Sequence, residues 1–148
     1  MDTSPRSRDG TICGNCRLGQ LETIRIDDSF EFLGEDGPIR IVAQDVPFYH
    51  CPHCGERLSG LETAQAHHRA ICKALGLLTP EEIRGIRDRL GMTQAEFSGL
   101  TGIGEATISR WERGRLLQNR ANDRYLRLVA GLPQSVSLLR ELQVPAST

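Results

Sequence analysis

Apolar and polar residues alternate along much of the first half of the chain, whereas in the second half apolar residues recur every three or four positions. "LETIRI" (21–26), "FEFL" (30–33) and "IRIVAQDVPFYHC" (39–51) carry the two-residue period of strands around the turn "GEDGP", which predicts a small antiparallel sheet. Leu61, Ala64, Ile71 and Leu75 then fall near helical spacing and stop at Gly76, so one helix leads out of this region.

Downstream, the helices are marked by their ends. After the joint "GLLT" (76–79), Thr79 as N-cap, Pro80 at the first helical position and Glu82 form a capping box. The helix it opens runs to Leu90, buries Ile83, Ile86 and Leu90, and ends at Gly91. "TQAE" repeats the signal with Thr93 and Glu96; Phe97 and Leu100 face inward, and "TGIG" stops this second helix. The third begins after Gly104 and holds "EATISRWERG", in which Ile108 and Trp111 share a face and make the tryptophan a core plug. A fourth, about 120–130, packs with Tyr125, Leu126, Leu128 and Val129 before Gly131 and Pro133. The fifth, about 134–143, carries Val136, Leu138, Leu139 and Leu142, more apolar surface than one face of a terminal helix needs; a two-fold dimer contact is its natural use. The fold class expected is α+β: a small β domain over 1–75, then an all-α five-helix domain over 76–148.

Cys13, Cys16, Cys51 and Cys54 change the picture of the first half. Each Cys-x-x-Cys can wrap a tight turn around one tetrahedral ion, and two such turns close a four-sulfur shell. Zinc is the best candidate, with iron the alternative for the same ligands. Gly14 inside the first turn and Gly55 after the second suit the positive φ that such turns often need. So few large apolar side chains in about seventy residues make a thin core, for which a metal staple is the usual remedy. Disulfides are disfavoured in a chain that reads as cytoplasmic, and a thioredoxin-type motif lacks its βαβ context. His50, His53, His67, His68 and Cys72 are left over and read as exposed histidines and a half-buried thiol. The closed shell leaves the ion no open position, and neither a phosphate loop nor a nucleophile motif is found, so the residues carry no signature of an enzyme.

Composition is that of an ordinary globular chain, 39% hydrophobic and 25% charged. The first twenty residues are polar and no apolar run approaches membrane-spanning length, which is why the chain reads as cytoplasmic with no membrane partner. The net charge of −1 hides an uneven distribution. Residues 1–75 hold eight basic and eleven acidic groups, and 76–148 hold ten arginines against eight acids. Arg110, Arg113, Arg115, Arg120 and Arg124 fall within fifteen residues, a local basic patch. With Ile108 and Trp111 turned inward, Glu105, Ala106, Thr107, Ser109, Arg110 and Arg113 lie on the start and outer flank of the third helix, as a groove-reading helix requires. Two short helices around a glycine-containing turn, with arginines following, make a helix-turn-helix module. Arg110 can read guanine, worth about 1–3 kcal/mol of discrimination; Arg115, Arg120 and Arg113 suit phosphates. Glu105 either accepts from cytosine or complements the helix dipole.

"CGNC…CPHC" joined to "TQAEFSGLTGIGEATISRWERG" resembles the MqsA-type (YgiT-type) zinc-finger antitoxins, whose C-terminal half is an Xre-like helix-turn-helix. The resemblance covers about 13–142. It implies one structural zinc ion, an N-terminal domain that binds a cognate toxin, and a C-terminal domain that forms a homodimer on double-stranded operator DNA and represses its own operon. It places Arg110 at a base-reading position and Ala106 where that family has asparagine, so the operator should differ. From the wider repressor family, Gln94 matches a glutamine contacting the DNA backbone, Glu105 and Ala106 fall at base-facing positions, and Arg87 with Glu112 matches a buried ion pair. The alternative is a stand-alone Xre-family regulator whose zinc domain senses metal or redox state or binds another protein.

Overall fold

In the computed structural model, which describes residues 7–143, the alternating segments form one long hairpin. The two strands expected over 21–26 and 30–33 are a single strand, β1 (Glu22–Gly34), paired antiparallel with β2 (Gly37–His50). They stay continuous because a β-bulge absorbs the irregularity between them. Ile26 pairs with Val46 and Asp28 with Ala43, so Asp27 faces both Gln44 and Asp45. Asp45 takes a left-handed φ of 54° there, and its amide donates to Asp27 Oδ1 at 3.0 Å. A short β3 (Arg57–Leu58) adds to β2, giving the order β1-β2-β3.

The helix α1 (Leu61–Leu75) follows. By contacts the chain divides into two compact units, Met1–Ile71 and Cys72–Thr148. In the first, Ala43, Val46 and Phe48 of β2 are buried with Ala66 of α1, and Ile24, Ile26, Phe30 and Ala70 complete the cluster. The apolar stripe expected from Leu61 and Ala64 is not the one buried, since Leu61 is 44% exposed and Ala64 is exposed. Thr63, Ala66, His67 and Ala70 turn toward the sheet instead, because alanines let the helix approach closely and polar residues find partners there. The Thr63 hydroxyl donates to the Pro47 carbonyl, and His67 Nε2 lies 2.8 Å from Asp28 Oδ2 with its ring 4.5 Å from Phe30. The expectation of exposed histidines and a half-buried thiol therefore fails at four positions: His50 is half-buried with Nδ1 3.5 Å from Glu22 Oε1, His67 is packed and paired, His68 is buried, and Cys72 is fully buried.

Five further helices make up the rest of the second unit: α2 (Pro80–Arg89), α3 (Gln94–Thr101), α4 (Glu105–Glu112), α5 (Arg120–Gly131) and α6 (Pro133–Leu142). The unit begins inside α1, whose last turn from Cys72 belongs to it, so it draws on a sixth helix beside the five expected. Thr79, Pro80 and Glu82 form the reciprocal capping box. The second box is half made: Thr93 accepts from the Glu96 amide, but the Glu96 carboxylate takes its bond from the Thr93 hydroxyl rather than from the backbone. Leu78, Ile83, Ile86, Phe97, Ile108, Trp111, Leu126 and Val129 form the core, with Leu90, Tyr125, Val136 and Leu139 packed at its edge. Leu128, expected inside, is 54% exposed, because Leu126 and Val129 already define the inward face of α5.

Two carboxylates are buried in this unit. Asp123 accepts from the Leu78 amide at 2.7 Å, from Gln118 Nε2 at 3.1 Å and from Arg127 Nε at 2.8 Å, fastening α5 to the start of α2. Burial opposes its charge, but the Leu78 amide, Arg127 and Gln118 outweigh that and lower its pKa. Glu112 accepts from Arg87 Nε at 3.1 Å and Nη2 at 2.7 Å, from Arg84 Nε at 3.3 Å and from Gln94 Nε2 at 3.3 Å.

Two outcomes follow. Because the folded pKa of Asp123 is depressed, its contribution is complete above the ordinary value of 3.8 and is lost as pH falls through the lower folded one; unfolding monitored by helical circular dichroism should show a steep loss of stability below about pH 4 that Asp123→Asn flattens. Glu112→Ala should cost about 3–5 kcal/mol in urea unfolding, because Arg87 loses its two-pronged partner and keeps a largely buried charge faced only by the exposed Asp88 carboxylate, 3.8 Å from Nη1.

Candidate metal centre and nucleic-acid interface

The four knuckle cysteines converge, as expected. Their sulfurs all lie within 4.8 Å of one another, with Cys13–Cys54 and Cys16–Cys51 each at 3.7 Å. A tetrahedral ion with zinc–thiolate bonds of about 2.3 Å sets an edge of about 3.8 Å, so the residues fit such an ion. These separations are far longer than a disulfide bond of about 2.0 Å. Cys13 and Cys51 are fully buried and pack with Leu21, Tyr49 and Leu58.

Both knuckles close by the same backbone bond, from the Arg17 amide to the Cys13 carbonyl (2.9 Å) and from the Gly55 amide to the Cys51 carbonyl (2.8 Å). The fifth residue of each is left-handed: Gly55 at φ 80°, as anticipated, but Arg17 at φ 61° in the first knuckle rather than Gly14. The glycine that matters there is Gly19, since a Cβ on it would lie 2.4 Å from Cys51 Sγ and 2.9 Å from His53 Cβ. Its amide donates to Cys16 Sγ at 3.4 Å, and that of Leu18 at 3.5 Å.

Those two amides hold the Cys16 thiol down at about 6. The Glu56 amide and the Asn15 side chain likewise lower Cys54. At Cys51 the Cys54 amide favours the thiolate, yet burial and the neighbouring Cys16 and Cys54 sulfurs prevail and push it up to about 11. Sulfurs this close cannot all ionise by themselves; a soft divalent cation at their centre removes the conflict by favouring thiolate at all four.

The second unit presents the other candidate surface. The glycine-bracketed turn Gly102–Ile103–Gly104, with Gly102 left-handed at φ 78°, joins α3 to α4. Ile108 (0% exposed) and Trp111 (2%) are buried, which leaves Glu105, Ala106 and Arg110 exposed and Thr107 and Ser109 half-buried on the other side of α4. The side chains of Arg110, Arg115 and Arg120 are exposed and without hydrogen-bond or ion-pair partners among the described residues. Arg113 folds back along its helix, donating from Nη2 to Ser109 Oγ at 2.6 Å. Gln94 is half-buried with its amide on Glu112. Arg87 and Glu112 form a two-pronged pair, and Arg87 also donates to the Met92 carbonyl at 2.9 Å. Glu112 holds the Arg87 pKa above its ordinary value through that hydrogen bond. Sequence reasoning missed Arg84 on this carboxylate, although Arg84 and Arg87 are three apart on one helix and so share a face.

Comparison with known proteins places the chain among relatives. A family described as the antitoxin component of bacterial toxin-antitoxin system, MqsA, matches residues 11–143. The antitoxin MqsA of Escherichia coli (strain K12) is 26% identical over 134 residues, covering 86% of this chain and 98% of that protein. The antitoxin HigA-2 of Vibrio cholerae serotype O1 is 31% identical over 83 residues, covering 56% of this chain and 79% of that protein.

The metal geometry is open to a direct test. Gly19→Ala should lower metal affinity by about tenfold or more, read as reduced zinc content and a weakened cobalt–thiolate charge-transfer band, while the helical signal of the second unit persists.

Proposed function

This chain belongs to the family of MqsA antitoxins, and from that premise we propose that it binds operator DNA through α4, represses its own operon and neutralises a cognate toxin through the four-cysteine unit. The observation that carries the DNA-binding half is a helix anchored inside by Ile108, Trp111 and Glu112, with Arg110 bare on its opposite flank. Arg110 reads a base edge, accompanied by Glu105, Ala106, Thr107 and Ser109, while Gln94, Arg113, Arg115 and Arg120 meet phosphates and set the register. Arg113 needs only to swing off Ser109 to do so.

Zinc is the proposed ion, held by Cys13, Cys16, Cys51 and Cys54. When bound it supplies structural cross-linking and no open coordination position. The chain's role is recognition rather than catalysis, and it acts as a cytoplasmic protein. Among the described residues no helix is long and apolar enough to cross a membrane.

A homodimer through the second unit fits the apolar surface of α5 and α6, where Leu128, Leu132, Leu138 and Leu142 are all exposed. Two-fold pairing then asks for a palindromic operator with half-sites about 34–36 Å apart.

The reading is tested on the DNA upstream of the chain's own gene. Arg110→Ala should erase the preference for that DNA over a scrambled duplex without altering the circular dichroism spectrum; equal weakening on both, or none, argues against base readout. Co-expression with the adjacent gene should yield a stable complex, and its absence would leave the chain as a regulator with another partner.

A further inference from the structure

Burying Glu112 requires one counter-charge, and Arg87 supplies it in full through a two-pronged contact. Arg84 is a second cation on the same carboxylate, with Nε 3.3 Å from Oε1; its side chain is 55% exposed while that of Glu112 is 0%. Arg84 is therefore one positive charge more than the buried carboxylate needs, and the nearby Asp88, its side chain 63% exposed, lies against Arg87 Nη1 at 3.8 Å. Only Nε of Arg84 is committed, and the remaining N–H donors of its guanidinium have no partner among the described residues. Gln94, the first residue of α3, places Nε2 on the other oxygen, Oε2. One carboxylate thus holds a solvent-facing guanidinium on one oxygen and a helix-start amide on the other. It does so at the end of the helix from which Arg110 projects.

We propose that Arg84 is a phosphate-contacting residue of the DNA interface, seated by the carboxylate of Glu112 that also holds Gln94. The inference rests on the DNA-binding reading above and extends that interface from α3 and α4 onto α2. A guanidinium held at Nε keeps its outer donors in a fixed fork, which matches phosphate oxygens and loses less side-chain freedom on binding than an unseated arginine. Glu112 acts here through Arg84 and Gln94 and does not itself touch DNA. Its buried carboxylate is screened from phosphate by the two arginines it holds.

The test uses the full chain and a fluorescein-labelled random-sequence duplex across a salt series. Arg84→Gln should weaken binding severalfold and reduce the slope of log K against log salt by about 0.9, the release expected for one lost phosphate contact. Arg84→Lys, which keeps the charge, should keep the slope. The preference for the upstream DNA over random sequence should survive both substitutions. An unchanged slope with Arg84→Gln, or an equal loss with Arg84→Lys, overturns the proposal. If the unsubstituted chain binds no DNA in a salt-dependent way, the DNA-binding reading fails instead, and the two failures are thereby distinguished.

Discussion

A carboxylate without exposed surface, Glu112, ends the helix that offers bare arginine to solvent, and the second unit is arranged around satisfying it. Apolar packing by Ile108 and Trp111 buries α4 but is non-directional. The Arg87–Glu112 fork adds direction: one guanidinium sits on α2, grips the last residue of α4 and bonds the Met92 carbonyl just ahead of α3. Such a pair contributes little net stability once desolvation is counted, yet losing either partner is costly. Its value here is that it ties α4 to α2 and to the residue just ahead of α3.

The first unit meets a different constraint. Its sheet is covered on one side by α1 through alanine, threonine and histidine, and the apolar cluster formed there does not include the knuckle cysteines, which pack separately with Leu21, Tyr49 and Leu58. The knuckles therefore have to be held by something other than a large core. Four sulfurs drawn within 4.8 Å, two of them fully buried, supply that hold only with a cation among them. Gly19 is the clearest sign, a residue without a side chain where any other would strike Cys51.

Charge follows the same division. The acidic excess lies in residues 1–75 and the basic excess in 76–148, so a net charge of −1 says nothing about affinity for DNA. What matters is the local field: within Glu105–Arg120 the free guanidiniums point outward while Glu112 is neutralised inside.

Element types, helix ends and the cluster of four cysteines were legible in the chain because each is encoded locally: strand period, capping residues, glycine stops and Cys-x-x-Cys spacing act over a few positions. Trp111 as core and Arg110 as surface followed from the same helical period. The Arg87–Glu112 pair came from resemblance, and Gln94 with it. Only tertiary structure decided which face of α1 is buried, that Arg17 rather than Gly14 takes the left-handed position, and that Asp123 bonds Leu78 across 45 positions of chain. It alone put Arg84 on a carboxylate 28 positions away. These depend on where distant backbone and charged groups come to rest, and a periodic pattern carries no information about partners brought together by folding.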